Sequence, residues 1–145
     1  MRTIKRYVSR AVLVKDDKIL LAKSDRKSNF FLPGGGIEAC ESAATALLRE
    51  IREELNMDAE IVDCIGIIEN NWVEGDASFY ETNFLFSVDI SGCYIANCIS
   101  AEDGLSFEWV PLIDIGNVDI RPDCIKKYLN DIQNGEYQAL WCSNF

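Results

Sequence analysis

The sequence predicts an α/β fold, a mixed β-sheet with helices packed on it, in one domain spanning residues 1–145. Three observations carry this. Runs rich in β-branched and aromatic residues recur along the chain, and two well-separated segments have helical periodicity. Those helices are interleaved with the strands rather than grouped at one end. A chain of 145 residues is long enough to bury a core, and it contains no internal repeat, low-complexity tract or linker.

In chain order, Tyr7 to Val14 alternates and then turns apolar, and Lys18 to Lys23 is again strand-like. Asp16-Asp17 between them suits a hairpin turn. Phe30-Phe31-Leu32 is a short apolar run stopped by Pro33-Gly34-Gly35-Gly36, which reads as a loop. From Glu41 to Leu55, the residues Ala44, Leu47, Leu48, Ile51 and Leu55 repeat at three- and four-residue intervals, the mark of an amphipathic helix. Ala59 to Ile68, Phe79 to Ile90 and Phe107 to Val110 read as strands, the last ended by Pro111. A second helix places Pro122 at its first position and Gly135 as terminator, with Ile125, Tyr128, Leu129 and Ile132 as its buried stripe.

Composition narrows the chemistry. With 48% apolar and 26% charged residues, the balance is that of a folded globular chain. No apolar run approaches the ~20 residues that cross a bilayer, and Met1 to Arg10 lacks the apolar stretch of a signal peptide. The expectation is a cytoplasmic protein without a membrane partner. The formal charge of −10, from 14 basic and 24 acidic side chains, repels duplex nucleic acid. It still permits phosphate ligands where divalent cations supply the positive charge. Six cysteines (Cys40, Cys64, Cys93, Cys98, Cys124 and Cys142) form no CxxC pair, so reduced thiols, several packed as small hydrophobes, are expected. The chain has no histidine. That argues against structural zinc and excludes Ser-His-Asp and Cys-His mechanisms. The acid or base must be a carboxylate, Lys, Tyr or a metal-bound water.

The helix beginning near Glu41 carries the informative residues. At ~100° per residue, with Glu50 at zero, Glu54 falls at roughly +40° and Glu53 at roughly −60°. The apolar face centres near +120° by the same arithmetic. Three glutamates therefore share a face flanking the buried one. Like charges three and four residues apart repel on an isolated helix, so the cluster needs full solvation or bound cations. On an arbitrary Glu-rich helix the first reading applies, with Arg49 and Arg52 as partners. Hard cations such as Mg²⁺ and Mn²⁺ prefer clustered oxygen ligands, and the glycine loop ahead of the helix permits close backbone approach.

Loop and helix together follow a longer pattern. Gly35-x5-Glu41-x7-Arg49-Glu50-Ile51-x-Glu53-Glu54-Leu55-Asn56-Met57 resembles the Nudix box, G-x5-E-x7-R-E-U-x-E-E-x-G-U, with U a large aliphatic residue. Every charged and aliphatic position is filled. The single departure is Asn56 in place of glycine, and asparagine is the next most tolerant residue of a left-handed helix terminus. Leu32-Pro33-Gly34 and Glu38 also look like the family.

This resemblance implies a Nudix-type α/β/α sandwich with helices on both faces of a mixed sheet. It implies a metal-dependent hydrolase that cleaves a diphosphate bond in a nucleoside diphosphate derivative, with Mg²⁺ or Mn²⁺ and an attacking water. Carried over by position, Glu50, Glu53 and Glu54 become metal ligands or, for one of them, the water-orienting base. Gly34 would offer its backbone carbonyl to the metal. Arg49 and Glu41 would brace loop against helix through an ion pair, and Glu38 is a candidate metal or water contact. Many family members add a carboxylate from a later loop. Glu102, before the Phe107-x-Trp109 strand, is preferred for this over Asp103, Glu69, Glu74 and Glu81. Arg10 and Arg26 are candidates for phosphate contact and Trp72 for base stacking. The family's ADP-ribose and diadenosine polyphosphate signatures fall at Val73, which fits neither. Nucleoside triphosphates, including oxidised ones, and ADP-ribose-like compounds both stay open as small-molecule substrates. The assembly is a monomer or homodimer. The alternative is a catalytically silent Nudix-fold nucleotide-binding or regulatory protein, which the intact Arg49-Glu50-x-x-Glu53-Glu54 disfavours.

Overall fold

The computed structural model describes residues 1–91, 100–136 and 138–144; Cys93 and Cys98 lie outside them. In chain order the elements are β1 (Arg2–Val12), β2 (Val14–Lys15), β3 (Lys18–Ser24), β4 (Phe30–Phe31), β5 (Gly34–Gly36) and α1 (Ala43–Leu55). These are followed by β6 (Ala59–Glu74), β7 (Ala77–Ile90), β8 (Leu105–Pro111), a 3-10 turn at Leu112–Asn117, α2 (Ile125–Gln133) and β9 (Leu140–Ser143).

One sheet has the order β5-β1-β7-β6-β9, with β1–β7 and β6–β9 parallel and the remaining pairs antiparallel. A second sheet joins β2, β3 and β4, with β8 also paired to β3. The mixed sheet expected from the sequence is therefore present. Strand alternation gives the layering: Ala11, Leu13, Leu20, Phe86 and Val88 pack with Leu47, Ile51 and Leu55 of α1. Val12, Ile19, Leu21 and Leu85 point the other way and pack with Ile125, Tyr128 and Leu129 of α2. The two helices thus cover opposite faces, as the resemblance implies. Among the described residues no helix is long and apolar enough to cross a membrane.

Local chemistry explains several boundaries. Asp16 and Asp17 both adopt positive φ, 48° and 58°, and close the two-residue hairpin between Lys15 and Lys18. Helix α1 starts two residues later than the apolar period suggested, because the Ser42 hydroxyl accepts from the Thr45 backbone N–H and caps it. Asn56 ends it in the left-handed region, φ 53° and ψ 40°, its N–H donating to the Arg52 carbonyl.

Other expectations need correction. Gly34–Gly36 is not a free loop but a short strand on the edge of β1, with Val8 opposite Gly36 and Arg10 opposite Gly34. Backbone pairing needs no side chain, so composition gave no sign of it. The runs at Ala59 and Phe79 extend into one long hairpin that turns at Gly75-Asp76. Pro122 stands three residues ahead of α2, since the turn bonds Ile125 N–H to Pro122 carbonyl and Lys126 N–H to Asp123 carbonyl intervene. Strand β9 was not anticipated. The four cysteines among the described residues are free thiols; Cys124 and Cys142 pack against the α2-side core, while Cys40 and Cys64 are exposed.

Candidate active site

The site is built where β5 passes the C-terminal half of α1. The three helix glutamates differ in exposure in the order their helical angles dictate. Glu54, nearest the apolar face, is 4% exposed. The Glu50 side chain is 16% exposed and that of Glu53, furthest round, 57%. Glu54 Oε2 accepts from the Gly34 backbone N–H at 3.2 Å. Burial pushes its carboxyl up to about 8, against the opposing pull of that hydrogen bond and of Arg10. The charges of Glu50 and Glu102 push in the same direction as burial.

Gly34, beside these carboxylates, is required by conformation and space, and Gly35 gives the Glu50 carboxylate room. Gly34 has φ +125°, and a Cβ there would meet the Ser9 carbonyl and lie 3.0 Å from Leu47 Cδ1. A Cβ at Gly35 would lie 2.5–2.7 Å from the Glu50 carboxylate. The carboxylate therefore rests directly on the glycine backbone.

Arg49 is the clamp. Its Nε donates to Glu41 Oε1 at 2.7 Å and its Nη2 to Glu41 Oε2 at 2.9 Å, a forked pair. Nη2 also donates to the Gly36 carbonyl at 3.0 Å. Nη1 reaches Glu50 at 2.9 Å and Glu53 at 3.3 Å. The Arg49 hydrogen bonds, with the Glu38 backbone N–H, hold the Glu41 carboxyl down at about 2. Glu41 and Arg49 thus tie loop to helix, and Arg49 also fixes two of the three glutamates. Glu38 is exposed and engages Glu41 through its backbone N–H at 3.0 Å.

Arg10 enters this assembly from β1. Its Nη1 donates to the carbonyls of Leu32 at 3.2 Å and Gly34 at 2.9 Å, its Nε to Asn83 Oδ1 at 3.4 Å, and its guanidinium lies 5.6 Å over the Phe31 ring. Arg10 is thus a half-buried strut under the turn before β5, and loss of water around its guanidinium pulls its pKa down from the ordinary arginine value. The Gly34 carbonyl expected to be free for a metal already accepts from Arg10. Glu102 is exposed, on a loop whose Ala101 N–H donates to the Glu54 carbonyl at 2.7 Å. Its charge registers at Glu54, so this loop is brought to the site. Arg26 is not: it is exposed in a shallow groove of residues 23–28 and Ser106 that contains no helix glutamate. Trp72 stacks on Phe79 at 4.9 Å, on the sheet face that also carries Arg10. Phe79 is opposite Ile4, six residues from Arg10, about 20 Å along the strand.

Among the described residues no three Asp, Glu or Cys side chains are already gathered as a ligand set for a metal. Arg49 holds Glu50 and Glu53, and the Gly34 N–H holds Glu54. The donor chemistry nevertheless fits a hard divalent cation. It offers carboxylate oxygens, and the buried Glu54 carboxyl, repelled by Glu50 and Glu102, gains most from added positive charge. Sequence reasoning missed Ser9, whose buried hydroxyl donates to the Ala43 carbonyl at 2.6 Å and pins the start of α1 to β1. It also missed Asn83, and took Glu81 only as a spare acid. The signal was available: Glu81 and Asn83 share the strand parity of the core residue Leu85, so they are polar residues at inward positions.

An α/β/α layering with a glycine strand set against a glutamate-bearing helix defines a hydrolase site of recognisable class. A Nudix domain model matches residues 5–129, and the chain belongs to the Nudix hydrolase family. It is 25% identical over 115 residues to YvcI, an uncharacterised Nudix hydrolase of Bacillus subtilis, a match covering 79% of this chain and 72% of that protein. An ADP-ribose pyrophosphatase of Methanocaldococcus jannaschii is 33% identical over 86 residues, 56% of this chain and 48% of that one. The solved structure of an ADP-ribose pyrophosphatase from Streptococcus suis superposes with a TM-score of 0.66 at 17% identity, covering 96% of this chain and 98% of that chain. That likeness concerns the fold alone. Nudix hydrolases generally use divalent metal ions and act on small-molecule nucleotides.

Proposed function

We propose that this chain hydrolyses a diphosphate bond in a nucleoside diphosphate derivative, by attack of water on phosphorus. The observation that carries the reading is the burial of Glu54 against the Gly34 N–H, beside Glu50 and with Glu41–Arg49 locking the glycine strand to the helix. These carboxylates would hold Mg²⁺ or Mn²⁺, which when bound would supply charge neutralisation at the diphosphate and lower the pKa of water.

The chain's own residues do the rest. Glu50, Glu53 and Glu54 offer the carboxylate oxygens, and whichever of them is not bound to a cation accepts the proton of the attacking water. A water oxygen–phosphorus bond forms, the bridging phosphorus–oxygen bond breaks, and the leaving phosphate oxygen takes the electron pair. Glu102 adds a fourth carboxylate from a loop hydrogen-bonded to the Glu54 backbone. Gly34, its carbonyl shared with Arg10, keeps a second lone pair on that oxygen for a cation. The Trp72–Phe79 stack gives the same sheet face an aromatic end suited to a base. Substrates are ADP-ribose-like compounds or nucleoside triphosphates, oxidised ones included, taken by a cytoplasmic monomer or homodimer.

The test is product release across nucleoside triphosphates, ADP-ribose, dinucleoside polyphosphates and nucleotide sugars, with and without Mg²⁺ or Mn²⁺. Metal-dependent cleavage of one compound well above the others is expected. Cleavage of none, by folded protein that binds Mn²⁺, would replace this reading with that of a silent nucleotide-binding protein.

A further inference from the structure

Arg6, Val8 and Arg10 occupy alternate positions of β1 and share a face; Glu81, Asn83 and Leu85 stand opposite them in register on β7. Asn83 is 1% exposed and Glu81 7%, both deeply buried for polar side chains. The Arg10 side chain does not extend straight out from its own register partner Leu85. Its Nε donates to Asn83, so it leans back along β7 toward Glu81, the next inward residue. Asn83 is itself fixed, its Nδ2 donating to the Ile68 carbonyl at 3.4 Å. Arg6, half-exposed, closes the other side of Glu81 at 3.6 Å. The guanidinium so aimed carries the Leu32 and Gly34 carbonyls on Nη1, and the next group along is the Gly34 N–H donating to Glu54.

We infer that Glu81 is a positioning residue: it holds Arg10 beneath the Leu32–Gly34 turn, and through Arg10 it sets the backbone on which Glu54 rests. A partly buried guanidinium requires a nearby counter-charge, and Glu81, one inward position beyond the Asn83 that Arg10 bonds, is the acid on that sheet face. With Glu81 in place, Arg10 is balanced from the sheet side and Glu54 stays free for other work. Without it, Arg10 is left with the charges of Glu54 and Glu50 on the helix side, and its grip on the turn loosens. The consequence for turnover rests on the proposed diphosphate hydrolysis; the positioning itself does not.

The test is amide hydrogen exchange of the metal-free full chain, comparing the parent with Glu81→Gln and Glu81→Asp. In Glu81→Gln, exchange in the 30–37 segment should rise about tenfold while 59–74 of β6 stays at the parent rate, as expected for local opening. Glu81→Asp, which keeps the charge, should fall between the two. A 30–37 segment as protected as in the parent overturns the inference, and so does a rise spread evenly over the whole chain. If Glu81→Gln does not fold, the same contrast in Glu81→Asp decides. In the same variants assayed with Mg²⁺, kcat should fall with KM within about twofold, the signature of a displaced catalytic group rather than a lost substrate contact. A raised KM with unchanged kcat would make Glu81 a substrate contact and overturn the inference. Absence of hydrolysis in the parent bears on the proposed function alone and leaves the exchange result standing.

Discussion

Glu41 and Glu54 bracket α1, carry the same side chain, and are driven in opposite directions. At the outer end, Glu41 forms two short bonds to Arg49 and its carboxyl sits at about 2. At the inner end, Glu54 has a backbone N–H and a nearby arginine in its favour, yet its carboxyl sits at about 8. Close pairing decides the outcome where water remains, and desolvation decides it where water is excluded. The outer carboxylate is thereby held ionised by its partner, while the inner one keeps its proton for want of positive partners. That difference separates a paired carboxylate from a desolvated one within one loop–helix unit.

The largest expected effect comes from removing the inner carboxyl. Glu54→Gln keeps the shape and should lower kcat by roughly 10²–10⁴-fold, the usual scale for a lost acid–base or ligand group, with circular dichroism unchanged. Comparable kcat at saturating Mg²⁺ would remove Glu54 from the chemistry and level the two ends. Next is the glycine floor. Gly34→Ala must place a Cβ against the Ser9 carbonyl in a conformation that side chains rarely adopt, at a cost of about 2–4 kcal/mol. Chemical denaturation measures this, and an unchanged midpoint would show that the turn relaxes freely.

A pH series sharpens the contrast further. Glu54 is raised from an ordinary 4.5 to about 8, so its stabilising contribution is complete below pH 4.5 and is lost as pH rises through 8. Glu41 is depressed from 4.5 to about 2, so its contribution is present above 4.5 and is lost as pH falls through 2. Metal-free thermal unfolding should therefore weaken toward both limits, with the alkaline loss reversed by Mg²⁺ and absent in Glu54→Gln. An alkaline loss that persists in Glu54→Gln would assign it to another group. The smallest effect belongs to the helix end between brace and hairpin. Asn56→Gly should change stability by under about 1 kcal/mol, since Asn56 already holds the left-handed cap. A large loss of activity in that variant would give Asn56 a role beyond termination.

Much of this site was readable before any coordinates. The angular positions of Glu50, Glu53 and Glu54 relative to the apolar stripe order their exposures correctly, because helical geometry is local and an amphipathic face has one place to go. The Asp16-Asp17 turn and the Asn56 terminus were legible for the same reason, since each depends on residues close in sequence, while the Glu41–Arg49 brace followed from the family resemblance. The strand character of Gly34–Gly36, the docking of Leu140–Ser143 beside β6 and the hairpin turn at Gly75-Asp76 were not, since backbone pairing leaves little mark on composition. Arg10 illustrates the same division for a side chain. Its charge was visible, but whether it would meet solvent, phosphate or a backbone carbonyl depended on Phe31, Gly34, Asn83 and Glu81, drawn from two segments distant from it along the chain. Sequence by itself determined which carboxylates cluster and on which side of the helix they stand. Only the tertiary structure decided which of them lose their water, because desolvation is set by everything packed around a group and not by its neighbours along the chain.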